Sequence, residues 1–323
     1  MMTATRRAVL GVATLAVPAV AGAQAGWPNR PIRLVVAFAA GGAADSVARV
    51  IAPVLGQKLG QTVVVENRTG GSGSAGGALV AQAAGDGYTL LWDASSHIVN
   101  PSLLRGLAFD YATAFRPVSL VATFPQVLAV KNDLPVRDVA GFIAAAKARP
   151  GALTVGTQGN ATAGHLGLAQ FQRLAGIEVT HAPYRGGADA ARDLAAGVLD
   201  GVFITALSAG PIADSGRARM LAAATEGRIA RRPEVPTFAE AGVPGLTISE
   251  WTALFGPAAL PVEIAERLHA GITATLADPE VRARLDQIVA LPVGSSPAEF
   301  ATFVRDGRTA MATLVREANV RAE

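Results

Sequence analysis

Cysteine is absent from the 323-residue chain, which excludes disulfides, thiolate nucleophiles and Cys-ligated metals together. Charge is sparse as well: only 16% of residues are Asp, Glu, Lys or Arg, 28 basic against 25 acidic. No Lys/Arg cluster stands out, so no nucleic-acid partner is expected. The only histidines are His97, His165, His181 and His269. None shows H-E-x-x-H or comparable paired spacing, so no metal site is expected. No G-x-S-x-G elbow occurs, and no two acids are spaced as a general acid/base couple, which leaves hydrolysis without support. Beyond residue 26 no apolar run is long enough to span a bilayer.

What is present is apolar. Half the residues are hydrophobic, which excludes disorder as the global state and provides for a sizeable core. The N-terminus is patterned separately. Residues 1–7 are polar and basic, residues 8–21 form an apolar run, and Ala21-Gly22-Ala23 and Ala23-Gln24-Ala25 are small-residue cleavage candidates. This is the layout of a secretory signal peptide over residues 1–25. Thr5-Arg6-Arg7-Ala8-Val9-Leu10 fits a twin-arginine signal as well as an ordinary basic start, so both export routes stay open. Removing Arg6 and Arg7 with that segment lowers the formal charge from +3 to +1. The absence of thiols suits an oxidising compartment. A soluble, exported, periplasmic protein is expected.

The rest of the chain alternates strand and helix patterns, which implies an α/β fold with mostly parallel sheets. Buried-strand runs fall at 32–38, 62–66, 88–92, 127–130, 153–156, 179–182, 201–205 and 220–224. Helical periodicity occupies 43–59, 78–84, 139–148, 162–175 and 188–196. Pro53 interrupts the first of these and predicts a kink or break. After a strand at 249–255 the chain reads as helical over 262–277, 279–288 and 297–318. Asp138 and Ser296 stand where N-caps belong, and Pro279 and Pro297 where first-turn prolines belong. This rhythm predicts two lobes. The first is discontinuous, residues 26–123 and 249–323; the second is 124–248; a ligand cleft lies between them.

One motif competes with that reading. Gly71-Ser72-Gly73-Ser74-Ala75-Gly76 fits G-x-G-x-x-G, with Asp93 placed as a ribose-binding acid. An exported NAD(P)-dependent oxidoreductase using this loop is the alternative function. Against it, the glycines lie several residues beyond the strand instead of forming its exit turn. A second pattern recurs more often. Small-residue loops at strand ends lead into helices at Ala39-Ala40-Gly41-Gly42-Ala43, at Ala94-Ser95-Ser96-His97 and at Gly159-Asn160-Ala161-Thr162-Ala163-Gly164-His165. Such loops leave backbone N–H groups free at helix N-termini, where anions bind without a cation. Ser95, Ser96 and Thr162 either add hydroxyl donors or serve as N-caps.

These stretches carry a family resemblance. Trp27-Pro28-Asn29-Arg30-Pro31-Ile32, Phe38-Ala39-Ala40-Gly41-Gly42-Ala43-Ala44-Asp45, Val65-Glu66-Asn67-Arg68, Ala84-Gly85-Asp86-Gly87-Tyr88, Ala182-Pro183-Tyr184-Arg185-Gly186 and Arg232-Pro233-Glu234-Val235-Pro236-Thr237-Phe238 run almost end to end in order. In this order and spacing the chain resembles the periplasmic solute-binding proteins of tripartite tricarboxylate transporters, the Bug or TctC-like family. The resemblance implies a type II periplasmic-binding fold and a receptor without catalysis or cofactor. It also implies a small carboxylate ligand and a membrane permease as partner; a monomer is expected. It turns the glycine loop into a structural feature. Carried over by position, the ligand-binding residues are Phe38, Ala39, Ala40, Gly41, Gly42 and Asp45 in the first lobe, with Ser95 and Ser96. In the second lobe they are Asn160, Thr162, His165, Tyr184, Arg185 and Thr205. Departures from the family pattern include Ala37 for Pro, Arg185 for Lys and Ile204-Thr205 for Asp-Asn. A receptor feeding signalling instead of transport is equally compatible with the sequence.

Overall fold

The computed structural model describes residues 26–160 and 162–317. The signal segment expected over residues 1–25 lies outside the described residues. Two sheets share one strand. The first contains β1 (Ile32–Val36), β2 (Val63–Asn67), β3 (Thr89–Ala94), β9 (Ser249–Pro257), part of β4 (Phe115–Lys131) and the short β10 (Leu291–Pro292). Its order is β2-β1-β3-β9-β4, with β10 also on β4. The β1–β2 and β1–β3 pairs are parallel, whereas β9 runs antiparallel to both β3 and β4. The remainder of β4 enters a second sheet with β5 (Thr154–Thr157), β6 (Thr180–Pro183), β7 (Gly201–Thr205) and β8 (Ala218–Ala223). There β7 and β8 flank β4 antiparallel, and β5 joins β6 and β7 in parallel.

β4 is therefore far longer than the run at 127–130 that hydropathy picks out. Its two prolines, Pro117 and Pro125, interrupt the pattern, yet Phe115–Pro125 pairs with β9 and the strand continues into the second sheet from Gln126. β4 and β9 cross between the lobes side by side, with Phe124 opposite Glu250 and Pro125 opposite Ser249.

Helix α1 (Ala43–Leu59) runs through Pro53 without ending there, contrary to the expected break. Pro53 lies on the exposed face, while Val47, Ile51 and Leu55 are fully buried against the core. Burying three such side chains, at about 1.5–3 kcal/mol each, outweighs the roughly 3 kcal/mol that an interior proline costs. Helix α8 (Val262–Leu276) packs on α1, and Gly271 permits the approach: a side-chain carbon there would sit 2.9 Å from Leu55 Cδ1. Helix α9 (Pro279–Gln287) starts at a first-turn proline behind the Asp278 cap. Helix α10 (Pro297–Glu317) begins with a reciprocal Ser296–Glu299 capping box.

In the second lobe, α4 (Val139–Ala148) is capped by Asp138, which accepts the Gly141 N–H at 2.7 Å. Helix α5 (Ala163–Ala175) follows β5, and α6 (Gly187–Ala195) follows β6. Two further helices, α3 (Ser96–Leu103) and α7 (Ala206–Asp214), escape the periodicity reading because each is short and contains a proline, Pro101 and Pro211. The helix expected at 78–84 lies earlier, as α2 (Ser74–Ala81). Apolar side chains fill both faces of each sheet. Leu166 of α5 packs into one of the first lobe's two core clusters, and Leu207 of α7 packs against the other. The two lobes are in contact.

Candidate ligand-binding site

The carboxyl ends of β1, β3, β5, β6 and β7 converge between the lobes, as open α/β sheets direct. An inner cavity of about 450 Å³, its mouth included, lies there. Phe38, Ala39, Gly42, Ala43 and Ala44 form its first-lobe wall, with Ala94 at the end of β3. Gln158, Thr162, Gly186, Gly187, Thr205 and Ser208 form the second-lobe wall, and Glu250 and Trp251 of β9 close it at the crossing. Phe38, Gln158 and Thr162 also border an outer chamber lined by Asn160, Tyr184, Arg185 and the loop from Thr69 to Gly73.

Two helix N-termini open on the inner cavity from opposite lobes. Helix α1 has Gly42 as N-cap and helix α6 has Gly186, and neither has a capping side chain. Glycine cannot supply the oxygen that Ser, Thr, Asp or Asn would. Among the described residues nothing accepts the N–H groups of Ala43 and Ala44, or those of Gly187 and Ala188. The start of α6 lies close to the loop that leads into α1, since a side-chain carbon on Gly186 would lie 3.8 Å from the Ala39 methyl. Ala43, Ala44 and Gly187, with their unpaired N–H groups, and the positive ends of two helix dipoles thus border one small space. The hydroxyl of Ser208 borders it, accepting the Thr205 O–H at 3.1 Å and keeping its own proton free.

The first-lobe loop is held from both ends. Asp45 accepts the Gly41 N–H at 2.9 Å, and Asn67 donates to the Phe38 carbonyl at 3.0 Å and to Asp45 at 2.8 Å. Burial opposes ionisation of Asp45, but Arg49, Gly41 and Asn67 together hold its pKa below the usual carboxylate value. Asp45 is buried beneath the loop, so it shapes the wall instead of lining it.

Several residues expected at the ligand have other partners. Ser95 Oγ accepts the Ala163 N–H at 2.9 Å, and the Ser95 N–H donates to Glu250 Oε1 at 2.9 Å. Ser96 is fully buried beside Gly73 and lines neither cavity. Thr162 lines both cavities, but its hydroxyl caps α5, donating to Gly159 O at 3.0 Å and accepting the His165 N–H at 3.4 Å. His165 stacks on His181 with ring centroids 4.1 Å apart, away from both cavities. Burial, then the neighbouring His181, lowers the His165 pKa to about 3; burial lowers that of His181 to about 4. The Tyr184 hydroxyl turns to Asp193 at 2.9 Å. Gly41 edges a separate groove beside α6 and α7, and Ala40 lines neither cavity. Phe38, Ala39, Gly42, Thr162 and Thr205 meet at the inner cavity, and Asn160 and Arg185 at the outer one. Arg185 is exposed and makes no ion pair among the described residues.

Glu250, Gln158, Gly187, Ser208, Trp251 and Ala44 are among the lining residues that sequence reasoning misses. Glu250 carried a signal: it is the one charge in the strand Ser249–Pro257. Its side chain is buried, and its pKa is pushed above the ordinary Glu value by burial, against the pull of the Ser95, Trp251 and Gln158 donors.

The glycine loop has a packing role. Gly73 abuts Asp93 Oδ1, where a side-chain carbon would lie at 3.1 Å, and a side chain on Gly77 would strike the Phe109 ring at 2.7 Å. Asp93 is fully buried and bound to His97 Nδ1 at 3.0 Å and to the Ala94 N–H at 2.9 Å. An acid so enclosed is out of reach of a ribose on this loop.

Two α/β lobes, joined by paired crossing strands around a cleft, define the periplasmic-binding-protein class. The sequence profile of the tripartite tricarboxylate transporter family receptor, TctC, matches residues 47–320, and the chain belongs to that family. It is 34% identical over 314 residues to protein BugT of Bordetella pertussis, covering 96% of each chain. The structure of R. palustris Rpa4515 with adipate superposes with a TM-score of 0.88 at 34% identity, over 92% of this chain and 99% of that one. MatC from Rhodopseudomonas palustris with bound malate gives a TM-score of 0.84 at 30% identity, over 90% and 100%. The chain is thus similar to receptors solved with carboxylates.

Proposed function

We propose that this protein captures a small carboxylate in the periplasm by closing two lobes on it, and delivers the solute to a membrane permease without chemical change. The lobes are residues 26–123 with 249–323, and residues 124–248, and closure turns on the β4 and β9 crossings. The observation that carries the reading is the meeting of the uncapped N-termini of α1 and α6 at one cavity. A carboxylate placed there accepts N–H groups from both lobes at once, so binding and closure are the same event. Arg185 at the outer chamber supplies the cation that draws an anion to the mouth. The adipate and malate of the two similar structures support a carboxylate as ligand. Export by the N-terminal signal segment, a monomeric state and the permease partner belong to the same proposal, and family membership supports the export and the permease. Among the described residues no helix is long and apolar enough to cross a membrane.

The test is a thermal-shift screen of residues 26–323 against a carboxylate panel with NAD(P) included, repeated on Gly186→Asp. Gly186 has extended backbone, and a side-chain carbon there meets only the Ala39 methyl at an ordinary contact distance of 3.8 Å, so Asp fits and its own carboxylate caps α6. Carboxylates stabilise the wild type, and the variant stays folded but loses the shift. Stabilisation by the dinucleotide alone, or undiminished binding by Gly186→Asp, overturns the reading.

A further inference from the structure

The inner cavity has a second pole, opposite in sign to the helix ends. Glu250 lines it and is 5% exposed, and no Lys, Arg or His pairs with it among the described residues. Four N–H groups reach its oxygens: Ser95 N and Trp251 N on Oε1 at 2.9 and 3.0 Å, Ala163 N and Gln158 Nε2 on Oε2 at 3.3 and 3.4 Å. All four donate, which favours the carboxylate against the burial that opposes its ionisation. The Oε2 contacts are stretched beyond normal N–H···O distance, so that oxygen is the less tightly held of the two and keeps accepting capacity. Glu250 also occupies the amides at the starts of α3 and α5, two of the three places where the sequence offered N–H groups to a ligand. Phe38, Ala39, Ala94 and Trp251 give the cavity apolar wall beside the polar groups of Gln158, Thr162, Thr205 and Ser208.

Building on the carboxylate reading above, we infer that Glu250 sets specificity: the receptor takes a monocarboxylate whose far end donates N–H bonds, as an ammonium or a primary amide, and rejects dicarboxylates. The ligand carboxylate lies at the ends of α1 and α6, and the far-end N–H groups meet Glu250 Oε2. A second carboxylate in that position faces a buried like charge that no cation offsets among the described residues. This separates the chain from the dicarboxylate-bound structures it resembles.

Matched probes decide it. Titration calorimetry at pH 7.5 compares malonamate, succinamate, glutaramate and adipamate with malonate, succinate, glutarate and adipate, pairs differing only in CONH2 against COO⁻. Beta-alanine and 4-aminobutyrate form the ammonium arm, and butyrate the apolar one. At one chain length the amide or amino acid binds the wild type at least tenfold tighter than the dicarboxylate and than butyrate, and Glu250→Gln cuts that preference at least fivefold. A dicarboxylate binding as tightly as its amide, butyrate matching either, or an unchanged preference in Glu250→Gln overturns the inference while leaving carboxylate capture intact. Absence of binding by every probe overturns both. If Glu250→Gln does not fold, the wild-type ratio alone decides.

Discussion

Ser95 Oγ accepts the Ala163 N–H at 2.9 Å, a bond between the loop after β3 in one lobe and the first turn of α5 in the other. The same N–H lies 3.3 Å from Glu250 Oε2, so Ser95 is its better acceptor. A hydrogen bond formed only when the lobes meet stabilises the closed form and nothing else. Ser95→Ala removes about 1 kcal/mol from closure, with the Glu250 contact limiting the loss. The expected outcome is an affinity reduced about fivefold, carried mainly by faster ligand release, with unchanged melting of the free protein. Stopped-flow release kinetics check this; an unchanged release rate would show that Ser95 does not latch the lobes.

Much of the frame was legible because hydrophobic period and punctuation agree. The helix ranges 43–59 and 139–148 coincide with α1 and α4, and Asp138 and Ser296 cap where small oxygen-bearing side chains precede helical periodicity. What was not legible depends on tertiary partners. α3 and α7 gain no helical range from periodicity because Pro101 and Pro211 break the local signal, although both helices are supported by packing. At the site, sequence offers the chemical capacity of a residue but not how much of it is spent. Thr162 and Ser95 carry hydroxyls suited to an anion, yet one caps its own helix and the other bridges the lobes. Gly42 and Gly186 matter for the oxygen they lack, which becomes visible only when both helix ends are seen at one cavity. Glu250 is 155 residues from Ser95, a separation no local pattern bridges.

The stacked His165 and His181 make stability pH-dependent. Both are neutral in the fold, with pKa values lowered to about 3 and about 4, whereas an unfolded histidine titrates near 6.5. Below that value the unfolded chain binds protons the folded chain refuses. Their contribution is therefore complete above pH 6.5 and is lost as pH falls toward the folded values. Each histidine gives a slope of up to about 1.4 kcal/mol per pH unit in this window. Urea midpoints should fall from pH 7 to pH 5. His165→Phe keeps a ring on His181 and removes one of the three histidines whose pKa the fold lowers, the others being His181 and buried His97, so the slope should fall by about a third. Parallel curves for the two proteins would place the dependence elsewhere.

Asp45 and Asn67 predict an effect on binding without touching the cavity. Asn67 holds the Phe38 carbonyl and Asp45 holds the Gly41 N–H, and the two side chains are joined at 2.8 Å. The loop between those anchors carries Ala39 to the wall and delivers Gly42, at its end, to the start of α1. Hydrogen bonds to a charged acceptor are worth about 1.5–3 kcal/mol, more than the neutral bond from Asn67 to the carbonyl. Asp45→Asn keeps the shape but lets its new amide group confront the Gly41 or Asn67 donors. Ligand affinity should fall about tenfold while the protein remains folded, and Asn67→Ala should cost less. Because both act on one loop, the double substitution should cost less than the sum of the singles, with a coupling of about 0.5–3 kcal/mol. Calorimetric titration of the four proteins with a ligand from the carboxylate panel measures that coupling. Strict additivity would mean that the two side chains hold the loop independently, and that the pre-formed wall at Ala39 and Gly42 does not depend on their junction.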